Sequence, residues 1–232
     1  MTQATDFDAI RCLDLPLSAQ LAAYDKGLEG RLPVLWAAYQ ALVEQLVRAD
    51  AGQAAPAIGQ PLPAFLLPDS DGQLVALADL LREAALVVSF NRGNWCSFCR
   101  LELAALSDRY AKLRAAGAEV VSIMPERSGA TATLRQKLDL PFRILSDLDN
   151  GYAAGCGLMV SLGTSVRELF LEAGLDLAAF QGNDSFFVPI PATYLIDQGG
   201  IIRARFVDVD FRRRMAPEAI LTTILDLQSG QR

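Results

Sequence analysis

The sequence predicts an α/β fold: a central mixed sheet flanked by helices and preceded by a helical extension. Three observations carry this reading. Residues 84–90 form a short apolar run rich in β-branched residues. They give way to a turn, Asn91-Arg92-Gly93-Asn94, and then to helical spacing at Leu103, Leu106, Tyr110 and Leu113. Strand-like and helix-like segments then alternate as far as Leu145, the order that parallel pairing with crossover helices requires. Finally, Ala192–Ile196 and Ile201–Val207 flank Asp197-Gln-Gly-Gly200, which reads as an antiparallel hairpin.

Taken in order, residues 13–49 read as helical. Leu35, Trp36, Tyr39, Leu42, Val43, Leu46 and Val47 keep helical spacing, and Pro33 suits the first turn of their helix. One apolar side of this segment needs a partner. Packing as a helical hairpin on the main domain and joining two copies as a homodimer are both open. Residues 50–63, rich in Ala, Gly, Gln and Pro, read as a linker, so the division is 1–55 for the N-terminal helical extension and 56–232 for the main domain. Phe65-Leu-Leu67 and Leu74-Val-Ala-Leu77 flank Pro68-Asp-Ser-Asp-Gly72 as two short strands and a turn.

Beyond the helix that starts near Cys96, Gly117 is placed to end it. Glu119–Ile123 is a strand stopped by Pro125, residues 128–139 a helix carrying Leu134 and Leu138, and Phe142–Leu145 a short strand. The segment 146–188 is the least regular, with one helix expected around Val166, Leu169 and Phe170. Asp147-Leu-Asp-Asn-Gly151 lacks the glycine spacing and terminal glutamate of a calcium loop. Pro217 opens a last helix carrying Ile220, Leu221, Ile224 and Leu225.

Composition narrows the function. The chain has 232 residues, 52% hydrophobic and 21% charged, which suits a globular fold with a sizeable core. A net charge of −6 argues against nucleic acid or an anionic membrane as partner. There is no histidine, which excludes Ser-His and Cys-His catalytic pairs and histidine metal sites. Four cysteines in a chain this long are not a secreted disulfide framework. No apolar run reaches membrane-spanning length. The first residues include Asp6 and Asp8 and lack the basic-then-apolar pattern of a signal peptide, so a cytoplasmic protein is expected.

The chemistry gathers at Cys96 and Cys99. Cys96 falls at the start of a helix, where free backbone N–H groups and the helix dipole favour a thiolate, and Arg92 stands close in sequence. Residues three apart share a helix face, so the two sulfurs can meet as a disulfide, with Cys96 as nucleophile and Cys99 as resolving thiol. A zinc site would need Cys12 and Cys156 as further ligands, and neither has a partner in sequence, so no metal and no cofactor are expected. Cys156 reads as a buried structural thiol. Trp95 is expected to pack over the sulfurs, Glu102 to be exposed, and Arg212, Arg213 and Arg214 to form a solvated cluster, with docking of an acidic reductant as the other reading. Arg92 reads equally as a surface charge or as a cation that steers the thiolate or a peroxide.

The segment Ser89-Phe-Asn-Arg-Gly-Asn-Trp-Cys-Ser-Phe-Cys-Arg-Leu-Glu-Leu103 resembles the active-site segment of peroxiredoxin-like proteins, in the alkyl hydroperoxide reductase/thiol-specific antioxidant branch of the thioredoxin superfamily. Ile190-Pro-Ala-Thr-Tyr-Leu-Ile-Asp197 resembles the family's segment with a proline facing the cysteines, and Phe206-Val-Asp-Val-Asp-Phe-Arg-Arg-Arg214 is a third match. The resemblance covers residues 56–232. It implies a thioredoxin-like fold and a thiol-dependent peroxidase reducing hydrogen peroxide or organic hydroperoxides. Cys96, Cys99 and Arg92 would be catalytic, and Trp95, Ile190 and Pro191 would position the substrate. A thioredoxin-like or other dithiol would be the reductant. It also implies a cis Ile190–Pro191 bond. The sequence departs from the family at Ser89 and Gly93, where the Pro and Thr/Ser of its Pro-X-X-X-Thr/Ser would stand, at Ser97 in place of a proline, and at Ile190-Pro191 where a later strand would bring an arginine. A disulfide oxidoreductase and a non-enzymatic redox-sensing module are therefore the alternatives.

Overall fold

A computed structural model describes residues 3–230. In chain order it comprises α1 (Gln3–Arg11), α2 (Leu17–Arg31), α3 (Pro33–Arg48), β1 (Leu66–Pro68), β2 (Leu74–Ala76), α4 (Leu77–Glu83), β3 (Ala85–Phe90), α5 (Ser97–Ala115), β4 (Ala118–Met124), α6 (Ser128–Lys137), β5 (Arg143–Ser146), α7 (Gly151–Gly155), β6 (Met159–Ser161), α8 (Gly163–Glu172), α9 (Ala178–Gln181), β7 (Phe187–Pro189), β8 (Ala192–Ile196), β9 (Ile202–Val207) and α10 (Pro217–Gln228). No helix among the described residues is long and apolar enough to cross a membrane.

The main sheet has the order β5-β4-β3-β8-β9. β3, β4 and β5 are parallel, whereas β8 runs antiparallel to β3 and β9 antiparallel to β8. β3 is thus central, and Leu86, Val87, Val88 and Phe90 are shut off from solvent. A continuous apolar run is what a strand buried on both faces requires. Leu86, Val88 and Phe90 pack with β1, β2, α4 and α7, while Val87 packs with α5, α6 and α10.

The N-terminal helices fold back on the molecule. Leu32 alone separates α2 from α3, and Pro33 occupies the first turn of α3, where its missing N–H is no loss. Trp36 Nε1 donates to Asp25 Oδ1 across the hairpin at 3.1 Å. Tyr24 of α2 meets Phe98 of α5 edge to face at 5.0 Å, and Tyr39 of α3 meets Phe211 likewise at 4.8 Å. The apolar side of the hairpin therefore has an intramolecular partner. Leu17, Leu21, Tyr24, Leu28, Tyr39 and Leu42 join the start of α5 and α8 in a third core.

Three elements differ from expectation. α4 fills the gap between the first hairpin and β3, because Leu77 and Leu81 point into the core one turn apart. The irregular stretch contains a second small sheet, β6 with β7, besides α8. The Ile190–Pro191 bond is trans, as is every peptide bond among the described residues. Ile190 continues the β6–β7 pairing by donating to Leu158 O at 2.6 Å, and its side chain packs into the core.

Candidate active site

β3 ends in the middle of the sheet, where Asn91 N–H still donates to Ile123 O at 2.8 Å. The backbone then turns through Gly93, whose φ of 139° is one that favours glycine. A Cβ there would fall 2.5 Å from Glu126 Oε1 and 2.6 Å from Trp95 Nε1. This tight loop delivers Cys96 to the N-cap position of α5, where its sulfur accepts the Cys99 N–H at 3.4 Å.

The two sulfurs lie 2.8 Å apart, with the Cys99 S–H directed at Cys96. Both cysteines are buried. Burial opposes ionisation of Cys96, but the Cys99 hydrogen bond, Arg92 and Arg214 together outweigh it and bring the thiol down to about 6. Cys99 moves the opposite way: burial and the neighbouring Cys96 thiolate push it up. The pair therefore divides into a ready thiolate and a thiol that keeps its proton.

Arg92 is only 1% exposed. Its guanidinium lies 3.9 Å from the ring centre of Phe211, 4.8 Å from Trp95 and 5.8 Å from Tyr39, an aromatic cradle for a cation. Its Nε and Nη2 have no hydrogen-bond partner, and neither has Trp95 Nε1. All three atoms are shut off from solvent, although the residues Arg92, Trp95 and Cys96 line one cavity.

Glu102 and Arg214 correct the sequence reading. Glu102, expected exposed, is buried one turn past Cys99, and Arg214, expected in a solvated cluster, is buried against it. Arg214 Nε donates to Glu102 Oε2 at 2.6 Å, Nη1 to Phe211 O and to Arg213 O, and Nη2 to Cys99 Sγ at 3.4 Å. Glu102 Oε1 accepts from Ser89 Oγ at 3.1 Å and Thr193 Oγ1 at 3.0 Å. Burial raises Glu102, opposed by Arg214 and these hydroxyls; the carboxylate accepts from three donors and needs no proton of its own, so the pair is ionic. Of the other two arginines, Arg213 is exposed, and Arg212 pairs with Asp210 and Asp25. One carboxylate on the buried side of α5, in register with Cys99 and Leu106, was the signal for a hidden cation.

Glu126, at the end of β4, is fully buried. Its Oε1 accepts the Asn94 N–H at 2.9 Å, and its Oε2 has no partner. Burial pushes its carboxyl up to about 8, and the Cys96 thiolate adds to the effect.

Of the residues singled out in the sequence, Cys96, Cys99, Arg92 and Trp95 come together. Ile190 and Pro191 do not line the cavity that reaches Cys96. Cys12 is exposed, and Cys156 is buried beside Leu158 in the core under β3, its thiol pushed up to about 11 chiefly by burial. Of the residues that complete the cavity, Tyr39 was visible only as part of an apolar helical stripe and Phe211 only as part of the third family match, and Tyr24 had no local signal.

Residues 58–205 match a family model described as the AhpC/TSA family. A Coxiella burnetii protein named "Putative peroxiredoxin bcp" is 27% identical over 63% of this chain and 85% of its own length. The chloroplastic peroxiredoxin Q of Suaeda salsa is 29% identical over 62% of this chain, a match that spans 57% of that relative. Among solved structures, the peroxidoxin BcpB of Mycobacterium tuberculosis superposes with a TM-score of 0.57 at 18% identity, over 73% of this chain and 97% of that one, and so shares its fold.

Proposed function

Because the chain belongs to the AhpC/TSA family, we propose that it is a thiol-dependent peroxidase, an oxidoreductase that reduces hydrogen peroxide or organic hydroperoxides by a Cys96–Cys99 dithiol/disulfide cycle. The observation that carries this reading is the division of the pair: two sulfurs 2.8 Å apart, Cys96 held towards the thiolate and Cys99 towards the thiol.

The cycle follows from that division. A Cys96 thiolate lone pair attacks the terminal peroxide oxygen; the S–O bond forms, the O–O bond breaks, and the alkoxide or hydroxide that leaves takes a proton to become alcohol or water. The sulfur is oxidised by two electrons to a sulfenic acid. Cys99 then displaces its hydroxyl as water and closes the disulfide. An external dithiol, thioredoxin-like in kind, returns two electrons and two protons. In this reading Arg92 supplies the positive charge that the family draws from a later strand. Trp95 positions the peroxide, while Ile190 and Pro191 support the site through the core instead of touching substrate.

We keep the cytoplasm as the compartment, since the cycle needs thiols that are reduced between turnovers. A homodimer through the N-terminal helices would use an exposed apolar residue of α3 such as Val34. Turnover of the purified protein with a peroxide and with a disulfide substrate, on one shared dithiol reductant, tests the assignment. Peroxide consumption well above that of the free dithiol supports it; turnover of the disulfide substrate alone overturns it in favour of the oxidoreductase.

A further inference from the structure

The cavity at Cys96, about 240 Å³ in volume, is lined by polar and by apolar side chains. Cys96, Ser97 and Arg92 are among the first; Arg92 Nε and Nη2 are themselves shut off from solvent, so the guanidinium acts there through its charge. The second include Leu28, Leu32 and Leu35 from the α2–α3 hairpin, with Phe170, Ala173 and Leu175. The three leucines lie outside the stretch 58–205 that matches the family. Leu28 is buried in the third core and Leu35 packs against it, but Leu32 remains 42% exposed while lining the cavity.

Hydrogen peroxide, with only two heavy atoms, would occupy the space beside Cys96 and leave the leucine wall uncovered. A hydroperoxide with a hydrocarbon group would cover that wall, and each methylene removed from water is worth roughly a factor of four in affinity. The charge of the buried arginine would draw the O–O group towards the sulfur, and the apolar wall would hold the remainder, the usual division of labour in a small-molecule site.

We propose that the α2–α3 hairpin is the specificity-determining wall of this site, and that it selects hydroperoxides carrying a bulky apolar group over hydrogen peroxide; this rests on the peroxidase reading above. The chemistry is that of the cycle already given. The O–O bond breaks at Cys96, and the alcohol that leaves still bears its hydrocarbon group against Leu28, Leu32 and Leu35.

The test compares kcat/KM for cumene hydroperoxide and for hydrogen peroxide in the full-length protein with dithiothreitol as reductant. Wild type is expected to favour cumene hydroperoxide by about tenfold or more. Leu32→Glu places a charge on the wall, and Ala173→Trp fills the space opposite; both positions are exposed, so neither change opens the core. Each should lower the ratio of the two efficiencies by about tenfold, chiefly through KM for cumene hydroperoxide. A wild-type preference for hydrogen peroxide, or a ratio that neither substitution moves, overturns the inference and leaves the peroxidase standing. Turnover of neither peroxide brings down the peroxidase reading, and this inference with it.

Discussion

Arg214 Nε and Glu102 Oε2 meet at 2.6 Å beneath the dithiol, closing an ion pair between the loop before α10 and the second turn of α5. Both side chains are almost wholly shut off from water, so neither charge has an alternative partner in solvent. Glu102→Ala should therefore destabilise the fold by about 3–5 kcal/mol, because it strands a buried guanidinium. Arg214→Met should cost a similar amount by stranding the carboxylate. The double substitution Glu102→Leu with Arg214→Met should recover much of the loss. Urea unfolding of the three variants checks this; three equal losses would show that the pair is not the source of the effect.

Cys96 should alkylate far faster than Cys99, and its rate should rise with pH through a midpoint of about 6. Below that midpoint the thiolate is lost and the rate falls; above it the rate levels off. Arg92→Met removes a nearby cation that favours the thiolate and should move the midpoint upward. Iodoacetamide rates against pH, with peptide mapping, give both values. Labelling that favours Cys99 at pH 6 would contradict the assignment of roles.

Cys99→Ser should still consume one equivalent of peroxide, since the first attack needs only the Cys96 thiolate. The product has no resolving thiol and should accumulate as a sulfenic acid, seen as one added oxygen by mass or by dimedone capture. A variant that reacts no faster than a small free thiol, yet traps a partner protein as a mixed disulfide, would favour the oxidoreductase.

Glu126 gives a pH effect of opposite sign to the reactive thiol. Its folded pKa is raised from 4.5 to about 8 by burial, so its contribution to stability is fully present below about 4.5 and is lost as pH rises through about 8. Within that window the wild type should lose about 1.4 kcal/mol per pH unit on account of this group. Glu126→Gln carries no titratable proton and should be flatter over the same range. Unfolding free energies at pH 5, 6, 7 and 8 for both proteins decide it. Parallel curves would show that Glu126 does not titrate in this way.

The local chemistry of the site was legible in the sequence. A strand-length run, a glycine turn and a helical register place Cys96 at a helix start and Cys99 one turn on, and Arg92 and Trp95 come with the same turn. These are neighbours within eight residues, and short-range geometry suffices for them. The order of strands and helices likewise gave the mixed sheet, because periodicity reports which faces are buried. Burial of a charge is different, since it depends on what arrives from elsewhere. Glu102 and Arg214 each look like surface charges until the fold joins them across 112 residues. Arg92 could be read either way until Tyr39 and Phe211 enclosed it. The trans state of the Ile190–Pro191 bond was likewise visible only in the tertiary structure. The wall that α2 and α3 raise over Cys96 was visible in sequence only as an amphipathic hairpin, because a hydrophobic stripe shows that a face needs cover and not what it covers.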